Sequence, residues 1–473
     1  MMTRQTAPPV WCATSTGDEI NLLTFQDFQK AAEQGGVIEF LPRAIREHLS
    51  SETYKTAVTA DAYNRQRNVT VNNYTKFIAE HSGNDLVNAT AANNRISSNY
   101  FHRFNTQRCT YSLGNGVTFN DEKIKDKLGS RFDTDFYNLA YYALIHGECY
   151  GFWNKDRLYI FPVTEFVPLF DEHDGVMRAG IRFWRLAENK PLTVVLYEED
   201  GYTKYVSRDK TSGYDLVVEE EKKAYLVTGI TTQADGFEVT SYSNYSSLPV
   251  KRMQGSKLNQ STLVGLREQI DSYDLIQSGF ANDLQDCAQI YWIIENCGGM
   301  SDADLQHFLN KLTRDHVATA DTHGMGVESS SLKPYVQDVP FQARVAWLQH
   351  IRASMYESFG ALDVTQISAQ QRTATEIQAA YEAMDENADD FEYQCIDFIQ
   401  QILGLMGIDA VPLFKRSRIS NEKEQVEMVM LEAQYLDDQT ILEKLPNITV
   451  DEVGRIMDSK ITQDSARFDE TEV

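Results

Sequence analysis

Long apolar runs are missing from this chain of 473 residues. No window approaches the roughly 18 apolar residues of a spanning helix, and no basic flank precedes an apolar stretch near the N-terminus. Neither a membrane segment nor a secretory leader is expected. The phosphate-loop pattern G-x-x-x-x-G-K-[ST] is absent, and so are H-E-x-x-H and G-x-S-x-G, which argues against a nucleotide-driven motor, a zinc protease and a serine hydrolase of the elbow type. Cations are scarce: 44 Lys and Arg stand against 69 Asp and Glu, a net charge of −25. A surface that grips nucleic acid draws its affinity from Lys and Arg on phosphates, so a dedicated DNA-binding face is not expected. The six cysteines, Cys12, Cys109, Cys149, Cys287, Cys297 and Cys395, show no C-x-x-C or zinc spacing and read as buried reduced thiols.

What the chain does carry is a pair of amphipathic helices around a small insert. Leu263, Leu266, Ile270, Tyr273, Ile276, Phe280 and Leu284 recur every three or four residues, one stripe of a helix. The spacing predicts a helix over 263–287, roughly 37 Å long at about 1.5 Å per residue. After Pro340 the pattern repeats with Phe341, Val345, Leu348, Ile351, Met355 and Phe359. The two stripes are expected to bury against each other or against a neighbouring subunit. Between them, Ala288 to Glu295 reads as a strand, Ser301 to Leu312 as a short helix, and Val317 to Pro340 as strands and turns. Trp292 and Trp347 read as core or subunit contacts.

Upstream the pattern is α+β. Thr24 to Ala32 and Pro42 to Ala57 read as short helices, the latter with Pro42 near its first turn. Ile96, Tyr100, Phe101 and Phe104 share a helical face, and Cys109 to Phe119 alternates before Gly114 and Gly116, predicting a strand and tight turn. Phe136, Leu139, Ala140, Ala143 and Leu144 predict a helix stopping at Gly147. Strands are expected over 148–153, 157–161, 167–170, 176–184, 192–197, 202–206, 214–218 and 223–228, extending an antiparallel sheet. Asp171-Glu-His-Asp174 is the most metal-like cluster, but so contiguous a run before Gly175 reads as a solvated turn. His146 reads as a helix-end residue.

Downstream, no Lys or Arg occurs between Glu376 and Gln401, while Ile377, Tyr381, Met384, Ala388, Phe391, Cys395, Phe398 and Ile402 form an apolar stripe. That is a core-packing helix with an acidic solvated face. Lys415-Arg-Ser-Arg418 reads as a salt-bridged surface, with a contact to DNA as the alternative, and the acidic tail from Asp464 as disordered. No catalytic residue, metal site or cofactor emerges.

The order of these parts resembles the portal, or head-to-tail connector, proteins of tailed double-stranded DNA bacteriophages. The resemblance rests on Asn93-Asn-Arg-Ile-Ser-Ser-Asn-Tyr-Phe101, the helix ending in His146-Gly-Glu-Cys-Tyr150, the strands up to Pro162-Val-Thr-Glu-Phe-Val-Pro168, the helix–insert–helix unit, and Arg372-Thr-Ala-Thr-Glu-Ile377. It covers about 61–407. It implies an α+β subunit with an N-terminal arm (1–60), a strand-rich wing (61–256), a first stem helix (257–287), a small α/β clip (288–340), a second stem helix (341–360), a tunnel loop (361–374), a wing helix (375–407) and a helical crown with acidic tail (408–473).

The implied function is a passive channel at the capsid vertex, a twelve-fold ring of identical subunits through which DNA is packaged and ejected. Its implied partners are itself, passing double-stranded DNA, the terminase, the head-completion adaptor, and the major capsid and scaffolding proteins, with no membrane; its place is the virion, after assembly in the host cytoplasm. On the residues alone, 361–374 is an ordinary connecting loop; on the resemblance, Gln366, Gln370, Gln371 and Arg372 come near DNA. Stem packing falls to Leu266, Ile270, Tyr273, Phe280, Val345, Leu348, Ile351 and Met355, and the clip to Tyr291, Trp292, His316 and Tyr335. The alternatives are a soluble acidic α+β hydrolase using a carboxylate pair and another phage structural protein.

Overall fold

The computed structural model describes residues 23–75, 77–79, 85–87, 92–155, 157–208, 215–232, 238–287, 291–295, 331–335, 341–364, 374–417, 426, 429–445, 453 and 455–457. The chain divides into two compact units, Met1–Lys415 and Arg416–Val473. The first opens with α1 (Phe25–Glu33), α2 (Val37–Ser50), α3 (Glu52–Asn64) and α4 (Val69–Asn73). Thr24 and Asp27 cap α1 reciprocally, satisfying two otherwise orphaned backbone donors. The single helix expected over 42–57 is instead two. Ser51 adopts an extended conformation and its hydroxyl accepts from Tyr54 N–H, so it starts α3 rather than continuing α2. Pro42 lies inside α2, not at its first turn.

A short hairpin, β1 (Phe77–Ala79) and β2 (Asp85–Val87), precedes α5 (Tyr100–Leu113). The strand expected from Cys109 does not form: α5 runs on to Leu113, and Gly114 N–H closes onto Thr110. The period-two reading failed because α5 is buried on several sides at once, including Asn105 and Ser112, and such a helix shows no clean stripe. β3 (Val117–Thr118), α6 (Glu122–Leu128) and α7 (Phe132–His146) follow. Gly147 ends α7 at φ 92°, and a Cβ there would meet the Gln260 backbone at 2.7 Å, so both conformation and space require glycine.

The strands are β4 (Glu148–Asn154), β5 (Arg157–Pro162), β6 (Phe166–Phe170), β7 (Met177–Trp184), β8 (Thr193–Glu198), β9 (Gly201–Ser207), β10 (Leu216–Lys223), β11 (Leu226–Thr232), β12 (Glu238–Ser243) and β13 (Val250–Gln254). β6 to β10 form an antiparallel meander, β13-β4-β5 a second sheet, and β11-β12 a separate hairpin. The strands expected over 214–218 and 223–228 are thus redrawn. Glu219 to Lys222, read as a break between two strands, continue β10 through Lys223 as a charged edge.

Alternation along β8 feeds two cores. Val194 and Leu196 face Phe28, Phe40 and Leu41 of the first two helices, while Val195 and Tyr197 face Tyr150, Phe161 and Val250. The other face of β13-β4-β5 supplies Cys149, Trp153 and Met253 to a third core with α7 and the long helix α10 (Ala374–Leu405). Between lie α8 (Arg267–Cys287), the hairpin β14 (Tyr291–Glu295) and β15 (Ser331–Tyr335), and α9 (Phe341–Phe359). β16 (Leu413–Phe414) returns to β3. In the second unit, Asp437 caps α11 (Asp438–Lys444).

Candidate functional site

Helices α8 and α9 run antiparallel: Gln269 Nε2 donates to Ser358 Oγ at 3.2 Å near one end, and Arg344 pairs with Asp283 near the other. At the near end Leu266, Ile270, Ile351, Met355 and Phe359 are buried with Phe101 and Phe104 of α5. Tyr273 is half-buried, edge-on to Tyr100 at 5.1 Å. Toward the far end the stripe loses its cover. Phe280, Val345 and Leu348 are half-buried, and Leu284, Trp347 and Phe341 are 51%, 48% and 56% exposed. Phe280 and Phe341 meet at 5.4 Å, and the Arg344 guanidinium lies over the Phe280 ring. A cleft of about 320 Å³ opens there between Ile276, Gly279, Ala343, Arg344 and Trp347.

Sequence reasoning missed a second stripe on α8. Ser98 N–H donates to Asp274 at 3.0 Å, Ile96 N–H to Ser278 at 3.0 Å, and Asn94 N–H to Asn282 at 2.6 Å. Alternate residues of the chain before α5 meet every fourth residue of the helix. Two extended residues span about 6.7 Å and four helical ones about 6 Å, so the steps match and helix side chains stand in for a neighbouring strand. Asp274 also accepts from Asn68, and burial pushes its carboxyl above its ordinary value. One turn back, Asp271 accepts from Tyr63 and Thr70. The signal was the polar series 271, 274, 278, 282, whose partners lie too far away in sequence to be read.

Residues 366, 370, 371 and 372, expected nearest DNA, lie outside the described residues, as does His316. Tyr291 and Tyr335 are direct cross-strand partners in the β14-β15 hairpin, with Trp292 opposite Pro334. The beginning of the 361–374 segment is described. Gln107 of α5 donates to the Leu362 carbonyl at 3.0 Å and accepts its N–H at 3.2 Å. Arg108 donates to the Phe359 carbonyl at 2.8 Å, and its guanidinium lies 4.1 Å over the Phe359 ring. Burial pulls this guanidinium down to about 10 against the opposing pull of Asp390, so it stays charged near neutrality. Arg352 of α9 holds Asp363 through two bonds at 3.0 and 2.9 Å. On the far side of the segment, Tyr381 stacks on Tyr111 at 5.8 Å, and Tyr111 OH donates to Asp385 at 2.6 Å.

The remaining candidates behave as structure. Asp171 and Asp174 each accept a backbone N–H within the β6-β7 turn; Gln26 donates to Asp171, and Asp174 takes Arg178. His146 ends α7, buried beside Asp61. Cys109, Cys149 and Cys395 are free and buried; Cys12 and Cys297 lie outside the described residues. Among the described residues no group of three His, Cys, Asp or Glu is placed to hold a metal, and no helix is long and apolar enough to cross a membrane. From Tyr381 to Ile402 the apolar stripe of α10 is buried as expected, with Glu382, Glu386 and Asp397 exposed on its other side.

The chain belongs to the phage portal protein family, SPP1 Gp6-like, which it matches over residues 59–466. A curated relative, the "Portal protein" of Clostridium phage phiCD119, is 24% identical over 471 residues, covering 89% of this chain and 99% of that protein. Among solved structures, the chain is similar to one from the virion of a native gene transfer agent particle, at 11% identity and TM-score 0.38, and to one from the neck of an empty such particle, at 11% identity and TM-score 0.39. Each covers 72% of this chain and 88% of the other.

Proposed function

We propose that this portal protein closes into a ring at the capsid vertex and serves as a passive conduit for double-stranded DNA, docking the terminase during packaging and the head-completion adaptor afterwards. Residues 61–256 act as wing, α8 and α9 as stem, 288–340 as clip, 361–374 as tunnel loop, α10 as wing helix and 408–473 as crown. The observation that carries this reading is the uneven burial of the helix pair. Its near half is sealed within the chain by α5, whereas Trp347, Phe341 and Leu284 remain exposed along its far half. Exposed apolar side chains of this size along a helix pair are what a neighbouring stem would cover.

The charge balance fits a conduit. A wall rich in Lys and Arg would hold the duplex with salt-dependent affinity, and a chain at −25 supplies the opposite. Catalysis is not part of this function, and the hydrolase alternative has no support in the family to which the chain belongs. Sedimentation of the purified chain, with a nucleotide-hydrolysis assay, tests the proposal. Large ring-sized particles without hydrolysis are expected; turnover of ATP by the pure protein would contradict it.

A further inference from the structure

The start of the segment between α9 and α10, and α10 itself two turns past its first residue, rest on one helix. Gln107, Arg108 and Tyr111 lie within one turn of α5. Gln107 treats Leu362 as a strand would, giving and taking one backbone hydrogen bond. Tyr111 meets the far side through ring and hydroxyl, and Leu362 and Tyr381 join it in one small apolar core with Met384 and Ala388. Packing alone would need no amide at 107. A side chain that satisfies both backbone groups of one residue fixes that residue's place, because leaving either group unmet in a half-buried site is costly. Gly360, at φ 65°, makes the turn into this grip, and Asn387 donates to the Phe359 carbonyl from α10.

We infer that this face of α5 is a staple that sets the position of Leu362, at the start of the loop, relative to Tyr381, two turns into α10, making Gln107 and Tyr111 positioning residues for the tunnel loop. The inference rests on the portal reading for what the loop does, but not for the staple itself. Through it, a displacement of either residue is passed to α5 and so to the helices packed against it.

The test uses the full-length protein in the assembly state of the parent. Gln107→Ala, Tyr111→Phe and the double variant are digested briefly with trypsin, and cleavage after Arg372 is followed by mass spectrometry against other sites as internal controls. The staple predicts cleavage after Arg372 about tenfold faster in the double variant, with control sites and circular dichroism unchanged. Tyr111→Phe, which removes one oxygen and keeps the stack, is expected to show a smaller rise and guards against a double variant that fails to fold. Unchanged cleavage after Arg372 in folded variants overturns the staple. Faster cleavage with undiminished DNA packaging supports the staple and overturns the assignment of this loop to DNA.

Discussion

Single residues show how polar the joint is between α8 and the chain before α5. Asp274 is wholly buried and receives Ser98 N–H and the Asn68 amide. Replacing it with Ala strands two buried donors and is expected to lower stability by about 3 kcal/mol, read as a fall in melting temperature; a change within error would show that the contacts carry no weight. His48 is buried with Nε2 2.8 Å from the Val163 carbonyl, and burial lowers its pKa from 6.5. A lowered folded value means that the unfolded chain binds the proton first. The stability contributed by neutral His48 is therefore full above 6.5 and is lost as pH falls below it. His48→Gln, which keeps a donor for Val163, should flatten the stability profile just below that pH, measured by denaturant titration; an identical slope would refute the assignment. Neither role was legible in sequence, since a lone Asp or His announces its burial only through partners brought in by the fold.

At the scale of elements, stripes were legible where one face of a helix meets one partner. Ile270, Met355 and Phe359 were read from spacing alone and are buried. α5 was misread past Cys109 because it touches several neighbours, and β10 because its edge position lets charge replace apolar alternation. The polar rungs Asp274, Ser278 and Asn282 look like a solvated face until the 94–98 segment arrives. The two ends of the α8–α9 pair therefore respond differently. Ile270 sits in the interior, so Ile270→Asp is expected to unfold the chain, losing about 4 kcal/mol or more, seen in circular dichroism. Leu348 and Trp347 lie toward the open end, so Leu348→Asp or Trp347→Ala should leave the circular dichroism intact and weaken assembly, seen by sedimentation. Loss of fold in both classes would contradict the division.

At the scale of the molecule, the first unit is a layered body: helices over a five-stranded meander, then a three-stranded sheet, then α7 and α10. The family was legible from the order of the motifs, and its match runs over residues 59–466; the layers were not, because β13 pairs with β4 across about a hundred residues of intervening chain. The exposed half of the α8–α9 pair is what the proposed neighbouring subunit would cover. Electron cryo-microscopy of the purified full-length chain measures this most directly. The account predicts closed rings in which Trp347 and Phe341 are covered by the adjacent subunit's stem; a stable monomer at assembly concentrations, or rings that leave those two side chains in solvent, would contradict it.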